Sequence, residues 1–314
     1  MMPRPPSSLT VTLLVCALAC ALVGCQSRVK PGQPLVRTGD EIMIAGQLFH
    51  TRTPVVLWFD PGGYDAYRTE MRTTPGATTR QSFEHRPTGD SFESLQQNVD
   101  QLVYHYDVSG LSRLCFATLH DNRGLSCHFL IDIDGTVYQT LDLKERAWHA
   151  TTSNSRSVGI EIANRGAYAS PDVAALQDWY PLDANGSARI AIPPALGDGG
   201  VRTRGFVGRP DREHMVTGAI HGRVMYQYDF TPQQYDALIK LTATLCTVLP
   251  KITCDFPRDE FGNPLTRKLE DHQLAAYRGI LGHYHVQENK QDPGPAFQWE
   301  LVVGGARNLM RNGG

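Results

Sequence analysis

An α/β domain with a mixed β-sheet flanked by helices is the fold class this sequence predicts. Three observations lead there. Short apolar runs rich in β-branched residues alternate with segments of helical spacing, the pattern of a sheet with helices packed on it. Two of those runs flank Ile133-Asp134-Gly135, a hairpin signal, so one strand pair is antiparallel. Late in the chain, Thr231-Pro232-Gln233-Gln234 carries an N-cap, a proline at the first helical position and a glutamine at the third.

Taken in order, residues 41–91 read as an N-terminal β elaboration. Ile42–Ala45 and Val55–Phe59 are apolar, and Asp60-Pro61-Gly62-Gly63 ends the second run with a turn. Residues 68–90, rich in Thr, Arg, Pro and Gly, read as loop. The core domain is expected over 92–304. Gln101–Tyr106 is an apolar-aromatic strand. Leu111–His120 is a helix with Leu111, Leu114, Cys115 and Leu119 on one stripe. Cys127–Asp132 and Thr136–Thr140 form the hairpin, and Ser157–Ala163 is a further strand. Residues 166–228, full of Pro, Gly and Arg, read as an insertion with no assignable structure. The capped helix buries Tyr235, Leu238, Ile239, Leu241, Thr242 and Leu245, and Pro250 ends its pattern. A second helix covers Thr266–Tyr277, before the apolar strand Gly279–Leu281.

Chain length and composition set the outer bounds. At 314 residues the chain can bury a full core, and 41% hydrophobic with 20% charged residues is ordinary globular composition. A net charge of -2 argues against a general nucleic-acid binder, which would carry a basic stripe.

Residues 1–25 read as a signal rather than as part of the fold. Leu9–Val23 is almost wholly apolar, yet shorter than the ~20 residues of a spanning helix. Leu22-Val23-Gly24-Cys25 resembles a bacterial lipobox, which implies cleavage, acylation of Cys25 and a membrane anchor of two or more chains. The alternative is a plain secretory signal with an incidental cysteine. Gln26 follows, where an aspartate would signal inner-membrane retention, so the expected location is the outer membrane, facing the periplasm. Residues 26–40 then form a tether. Cys115, Cys127, Cys246 and Cys254 remain in the mature chain, with Cys246 and Cys254 the nearest pair; disulfides and buried free thiols are equally open.

The chemistry concentrates in Gly282-His283 through Lys290-Gln291-Asp292-Pro293-Gly294-Pro295. Imidazole and carboxylate are zinc ligands, and a catalytic zinc needs three protein ligands plus water. Lys290, two residues before Asp292, suits a developing oxyanion. His105, at the end of its strand, is a third ligand or a core histidine satisfied by backbone. Glu161 lies within the apolar run Val158–Ala163; buried there it would have a raised pKa useful to a general base, and on an edge strand it would simply face solvent. His149, beside Trp148, is a substrate contact, a support for a ligand, or a loop histidine packed on the indole.

In their order, the motifs resemble the type-2 N-acetylmuramoyl-L-alanine amidases, zinc enzymes that share a fold with peptidoglycan recognition proteins. The carriers are Val103-Tyr104-His105, Cys127-His128-Phe129-Leu130-Ile131 with Asp134-Gly135-Thr136-Val137-Tyr138-Gln139, Arg146-Ala147-Trp148-His149-Ala150, Ser157-Val158-Gly159-Ile160-Glu161, and the Gly282–Phe297 run. The resemblance covers about residues 95–165 and 229–300, and is nearest to the bacterial branch that contains lipoproteins. It implies one zinc ion held by His105, His283 and Asp292, with Glu161 as general base and Lys290 at the oxyanion. It implies His149 and Trp148 at the substrate, His128 and Tyr138 in structural roles, and peptidoglycan or muropeptide as substrate. His285 stands where the family often has an aspartate, which leaves it either a competitor for the metal or a solvent-facing residue. The alternatives to an amidase are a non-catalytic peptidoglycan-binding module and a zinc peptidase acting within the stem peptide.

Overall fold

The computed structural model describes Met1, Gly32 and residues 35–68 and 81–312. The signal, Cys25 and most of the tether lie outside the described residues. Two units divide at Arg37, and everything below concerns the second, Thr38–Gly314.

Its centre is a six-stranded sheet. Strands β1 (Glu41–Ile44) and β2 (Gln47–His50) form a separate hairpin, as do β10 (Val216–Ile220) and β11 (Arg223–Gln227). Strands β4 (Phe83–His85) and β8 (Glu145–Ala147) pair with each other. The main sheet takes β3 (Val55–Leu57), β5 (Gln101–Tyr106), β6 (Phe129–Ile131), β7 (Val137–Gln139), β9 (Ser157–Ile162) and β12 (Gly279–Gly282), in the order β12-β5-β9-β6-β7-β3. All neighbours are parallel except β6 and β7, the hairpin expected around Asp134-Gly135. Gly135 there has φ 82°, a conformation that a side chain would strain.

Alternation along the strands explains how the sheet is covered. Leu102, Tyr104 and Tyr106 of β5, Val158, Ile160 and Ile162 of β9, and Ile280 of β12 join one core with Tyr235, Leu238, Leu241 and Leu245 of the helix Pro232–Val248 and Val302 and Val303 of the helix Trp299–Asn312. Burying each such side chain is worth about 1.5–3 kcal/mol. The intervening residues Val103 and His105, and Gly159 and Glu161, therefore face the other side. The helix Pro232–Val248 starts as read: Gln234 N donates to Thr231 Oγ1 at 3.1 Å, and Thr231 N donates to Gln234 Oε1 at 2.9 Å.

Several expectations shift. The segment 41–91 is not a mere appendage, because β3 is the edge strand of the main sheet, paired with β7. The helix expected over Leu111–His120 is α-helical only at Ser112–Phe116 and widens to a π-helix at Ala117–Asn122. The helix expected at Thr266–Tyr277 shortens to Asp271–Ala276, capped by Glu270 and Gln273. Residues 299–312, for which the sequence reading made no assignment, form a helix. The insertion 166–228 holds the β10–β11 hairpin. All four described cysteines are free. No described helix is long and apolar enough to cross a membrane.

Candidate metal centre and active site

Three parallel strands bring the candidate residues to one end of the sheet. His105 is the penultimate residue of β5, Glu161 the penultimate residue of β9, and His283 follows the last residue of β12. The register pairs His105 with Glu161, and Gly282 with Tyr104, so all three stand at one level on neighbouring strands. The carboxyl ends of parallel strands are where open α/β sheets hold ligands, because backbone groups and loops diverge there. Asp292 arrives on the loop after the short helix His283–Val286, where Tyr284 N donates to the Asp292 carbonyl at 3.1 Å.

His105 Nδ1, His283 Nδ1 and Asp292 Oδ2 form a triangle with sides of 3.0, 2.8 and 2.9 Å. All three residues are buried. Tetrahedral zinc with bonds of ~2.0–2.1 Å separates its ligand atoms by roughly 3.3 Å, so the triangle needs to open by only a few tenths of an ångström. The remaining ring nitrogens decide the tautomers. His283 Nε2 donates to Gln287 Oε1 at 2.8 Å, one helical turn on, which leaves its Nδ1 lone pair free for a metal. His105 Nε2 meets His149 Nδ1 at 3.0 Å, and His149 Nε2 meets Ser157 Oγ at 3.2 Å. Protons on both Nε2 atoms satisfy that chain and leave His105 Nδ1 a lone pair as well. Two lone pairs and a carboxylate aimed at one point repel one another unless a cation sits between them, and the donor set fits zinc.

The electrostatics agree with a cation site. Burial pushes the His105 imidazole down to about 4, with His283 adding to the effect against the pull of Asp292, so it is neutral at pH 7. Burial would raise the Asp292 carboxyl, but charge and hydrogen bonds from His283 and His105, supplied when protons occupy their facing nitrogens in the place a metal would take, hold it well below the usual carboxylate range. Glu161 behaves in the opposite way. Burial first, then the charge of Asp292, raises its pKa well above normal. Its Oε2 is buried and has no hydrogen-bond partner among the described residues. An orphaned buried carboxylate is costly to keep unless it acts on something that is not there at rest.

These groups line a cavity of about 150 Å³ with His149, Trp148 and Lys290 on its walls. Among the described residues the Lys290 ammonium makes no ion pair, although its charge is felt at both His105 and Glu161. Gly159 is needed for space. A Cβ there would come within 2.7 Å of the His149 ring and 2.8 Å of Cys127 Sγ. Cys127 lies close by, but burial raises its thiol pKa well above normal, the reverse of what a thiolate nucleophile requires.

The structure corrects two readings and supplies others. His285 faces neither metal nor solvent. It is fully buried, accepts from Gly282 N at 2.8 Å through Nδ1 and donates to Leu265 O at 2.7 Å through Nε2. Glu161 is on an interior strand between β5 and β6, so the edge-strand reading fails. His128 is structural, accepting from Gly159 N at 3.1 Å and donating to Glu145 O at 3.0 Å. Sequence reasoning missed Gln287 and Ser157, although the four-residue spacing from His283 to Gln287 is a signal that could have found the former. Asp40, Glu41 and His50 also bring three ligand-type side chains together, but His50 is exposed and pairs with Asp40 at 2.8 Å, and Glu41 accepts from Thr38 Oγ1 at 2.7 Å.

Residues 95–209 match the sequence family described as N-acetylmuramoyl-L-alanine amidase. The match includes His105, His149 and Glu161 and ends before His283, Lys290 and Asp292. No curated protein matches the chain significantly. Among solved structures it is similar to a selenomethionine derivative of AmpD at 18% identity, over 77% of this chain and 98% of that one, with a TM-score of 0.35. It is similar to AmiD from E. coli in complex with the substrate anhydro-N-acetylmuramic acid-L-Ala-D-gamma-Glu-L-Lys at 18% identity, over 85% of this chain and 65% of that one, with a TM-score of 0.38. A Drosophila PGRP-LB mutant in complex with tracheal cytotoxin matches at 16% identity, over 77% and 89%, with a TM-score of 0.34. Superpositions this loose carry no argument about chemistry, which rests on the geometry above.

Proposed function

We propose that this chain, whose residues 95–209 match the N-acetylmuramoyl-L-alanine amidase family, is a zinc-dependent hydrolase of the amide between the lactyl group of N-acetylmuramic acid and L-alanine in peptidoglycan. The observation that carries the reading is the pairing of His105 with Glu161 on adjacent strands. It sets an unpartnered, proton-hungry carboxylate beside a ready-made triangle of metal ligands.

His105, His283 and Asp292 would hold the metal. A zinc ion there lowers the pKa of water and polarises a carbonyl. Glu161 takes the proton of the attacking water and passes it to the leaving nitrogen as the C–N bond breaks, so the amine of L-alanine departs neutral. Lys290 offers its ammonium to the negative charge that develops on the carbonyl oxygen. His149 and Ser157 keep the His105 ring in the tautomer that points Nδ1 at the ligand position. Trp148 is a wall for the sugar or peptide. We also assign the protein to the cell envelope, anchored through acylated Cys25 in the outer membrane and facing the periplasm, on the strength of Leu22-Val23-Gly24-Cys25.

Mass spectrometry of purified peptidoglycan incubated with the protein, with and without a zinc chelator, tests the reading. Chelator-sensitive release of intact stem peptides beginning with L-alanine is expected. Fragments cut within the stem would show a peptidase instead, and binding without release a recognition module.

A further inference from the structure

The insertion at 166–228 reaches the loop that carries the candidate catalytic lysine. Its hairpin turns at His221-Gly222, with φ values of 52° and 73°. Positive φ at both central positions is the backbone of a type I′ turn, where Asn-Gly is the favoured pair and His, like Asn and Asp, is among the side chains that tolerate the left-handed region. Three contacts hold His221 there. Its main-chain N–H donates to Thr266 O at 2.8 Å. Its Nε2 donates to the main-chain carbonyl of Lys290 at 2.8 Å. Its ring stands at 90° to that of Tyr284, with centroids 6.4 Å apart.

We propose that His221 is a positioning residue for Lys290. Lys290 N donates to Gln287 O at 3.2 Å, so with His221 on its carbonyl both main-chain polar groups of Lys290 are tied. Its side chain makes no ion pair among the described residues, so the backbone is what aims the ammonium into the cavity. The rest of the hairpin braces the same loop. A Cβ on Gly218 would meet Pro295 at 2.7 Å, and Gln227 donates to Pro293 O at 3.1 Å and accepts from Ala296 N at 3.0 Å. The insertion is thus part of the catalytic apparatus. What Lys290 does once aimed rests on the amidase reading.

The test compares wild type, His221→Asn and His221→Gln in the full chain carrying carbonyl-13C lysine. Asparagine suits the left-handed turn but is too short to reach Lys290. Glutamine carries an N–H near the place of Nε2 but suits the turn less well. If His221 positions Lys290, the Asn variant moves the Lys290 carbonyl resonance. It also lowers kcat on a muropeptide by about 10- to 100-fold, with KM and zinc content unchanged. The Gln variant then recovers both. A role in the turn alone gives the reverse order, with Asn at least as good as wild type and Gln worse. An unmoved carbonyl resonance, or wild-type kcat in the Asn variant, overturns the proposal. If wild type releases no stem peptide, the amidase reading fails, while the resonance still decides whether His221 holds Lys290.

Discussion

His105 and His283 share with His128 and His285 almost everything that a residue type and its burial can show. All four are imidazoles buried at the sheet or its end. The difference lies in what the nitrogens face. His128 and His285 spend both on main-chain groups: Gly159 N and Glu145 O for one, Gly282 N and Leu265 O for the other. Burial pushes each of those rings down to about 3, so they are neutral struts. His105 and His283 instead turn their Nδ1 atoms towards each other and towards Asp292. Burial alone therefore does not mark a ligand. Convergence of lone pairs that no protein donor satisfies does.

The largest effect is expected from breaking the converging set. Asp292→Ala should abolish both metal binding and turnover, read by metal content after dialysis and by product release; a variant that kept stoichiometric zinc would remove Asp292 from the ligand set. Glu161→Gln should keep the zinc and lower kcat by about 10²–10⁴-fold, the usual span for a general base. Lys290→Met should lower kcat by roughly 10²–10³-fold with little change in KM. Full turnover in either variant would strip that residue of its role. His149→Ala removes the partner of His105 Nε2, and zinc affinity should fall about 10- to 100-fold, as seen when outer hydrogen bonds to a ligand are lost. On the other side of the comparison, His128→Ala should leave zinc content unchanged and cost about 2–4 kcal/mol of stability, from a cavity and two orphaned main-chain groups. Loss of zinc in a well-folded His128 variant would erase the distinction between struts and ligands.

Two carboxylates, Asp292 buried and Asp107 half-buried, repeat the contrast at a smaller scale. Positive charge at the His105–His283 nitrogens, whether protons or a cation in their place, holds Asp292 well below the usual carboxylate range, whereas burial raises Asp107 to about 7 against the N–H groups of Gly110 and Asn164. A carboxyl raised in the native state binds its proton more tightly there than in the unfolded chain. Its contribution is complete below about 4 and is lost as pH rises towards 7. Asp107→Asn should flatten that part of the stability profile between pH 4 and 7, measured by urea midpoints. An unchanged slope would show that Asp107 ionises normally.

Much of this was legible in the residue order. The alternation in Gln101–Tyr106 and Ser157–Ala163 placed His105 and Glu161 on strands, and the Asp134-Gly135 turn and the Thr231 cap marked a hairpin and a helix, because turn and cap chemistry is local. The helix Trp299–Asn312 drew no prediction, and the helix at 266–277 was drawn too long. Gly304-Gly305 lowers the intrinsic helix propensity of the first, whose state is set by packing Trp299, Val302 and Val303 on the core, and the second keeps only the turn that its caps support.

The sequence by itself determined which chemistry was available: two histidines and an aspartate able to hold a metal, a glutamate in an apolar strand, and a lysine two residues from the last ligand. These are covalent facts with fixed spacing along the chain. Only the tertiary structure decided that β9 is interior and Glu161 orphaned rather than solvated, that His285 is a strut, and that His221, 69 residues from Lys290, lies against its carbonyl. Strand order and the docking of a distant hairpin are set by burial summed over the whole core, and no local window of sequence carries that sum.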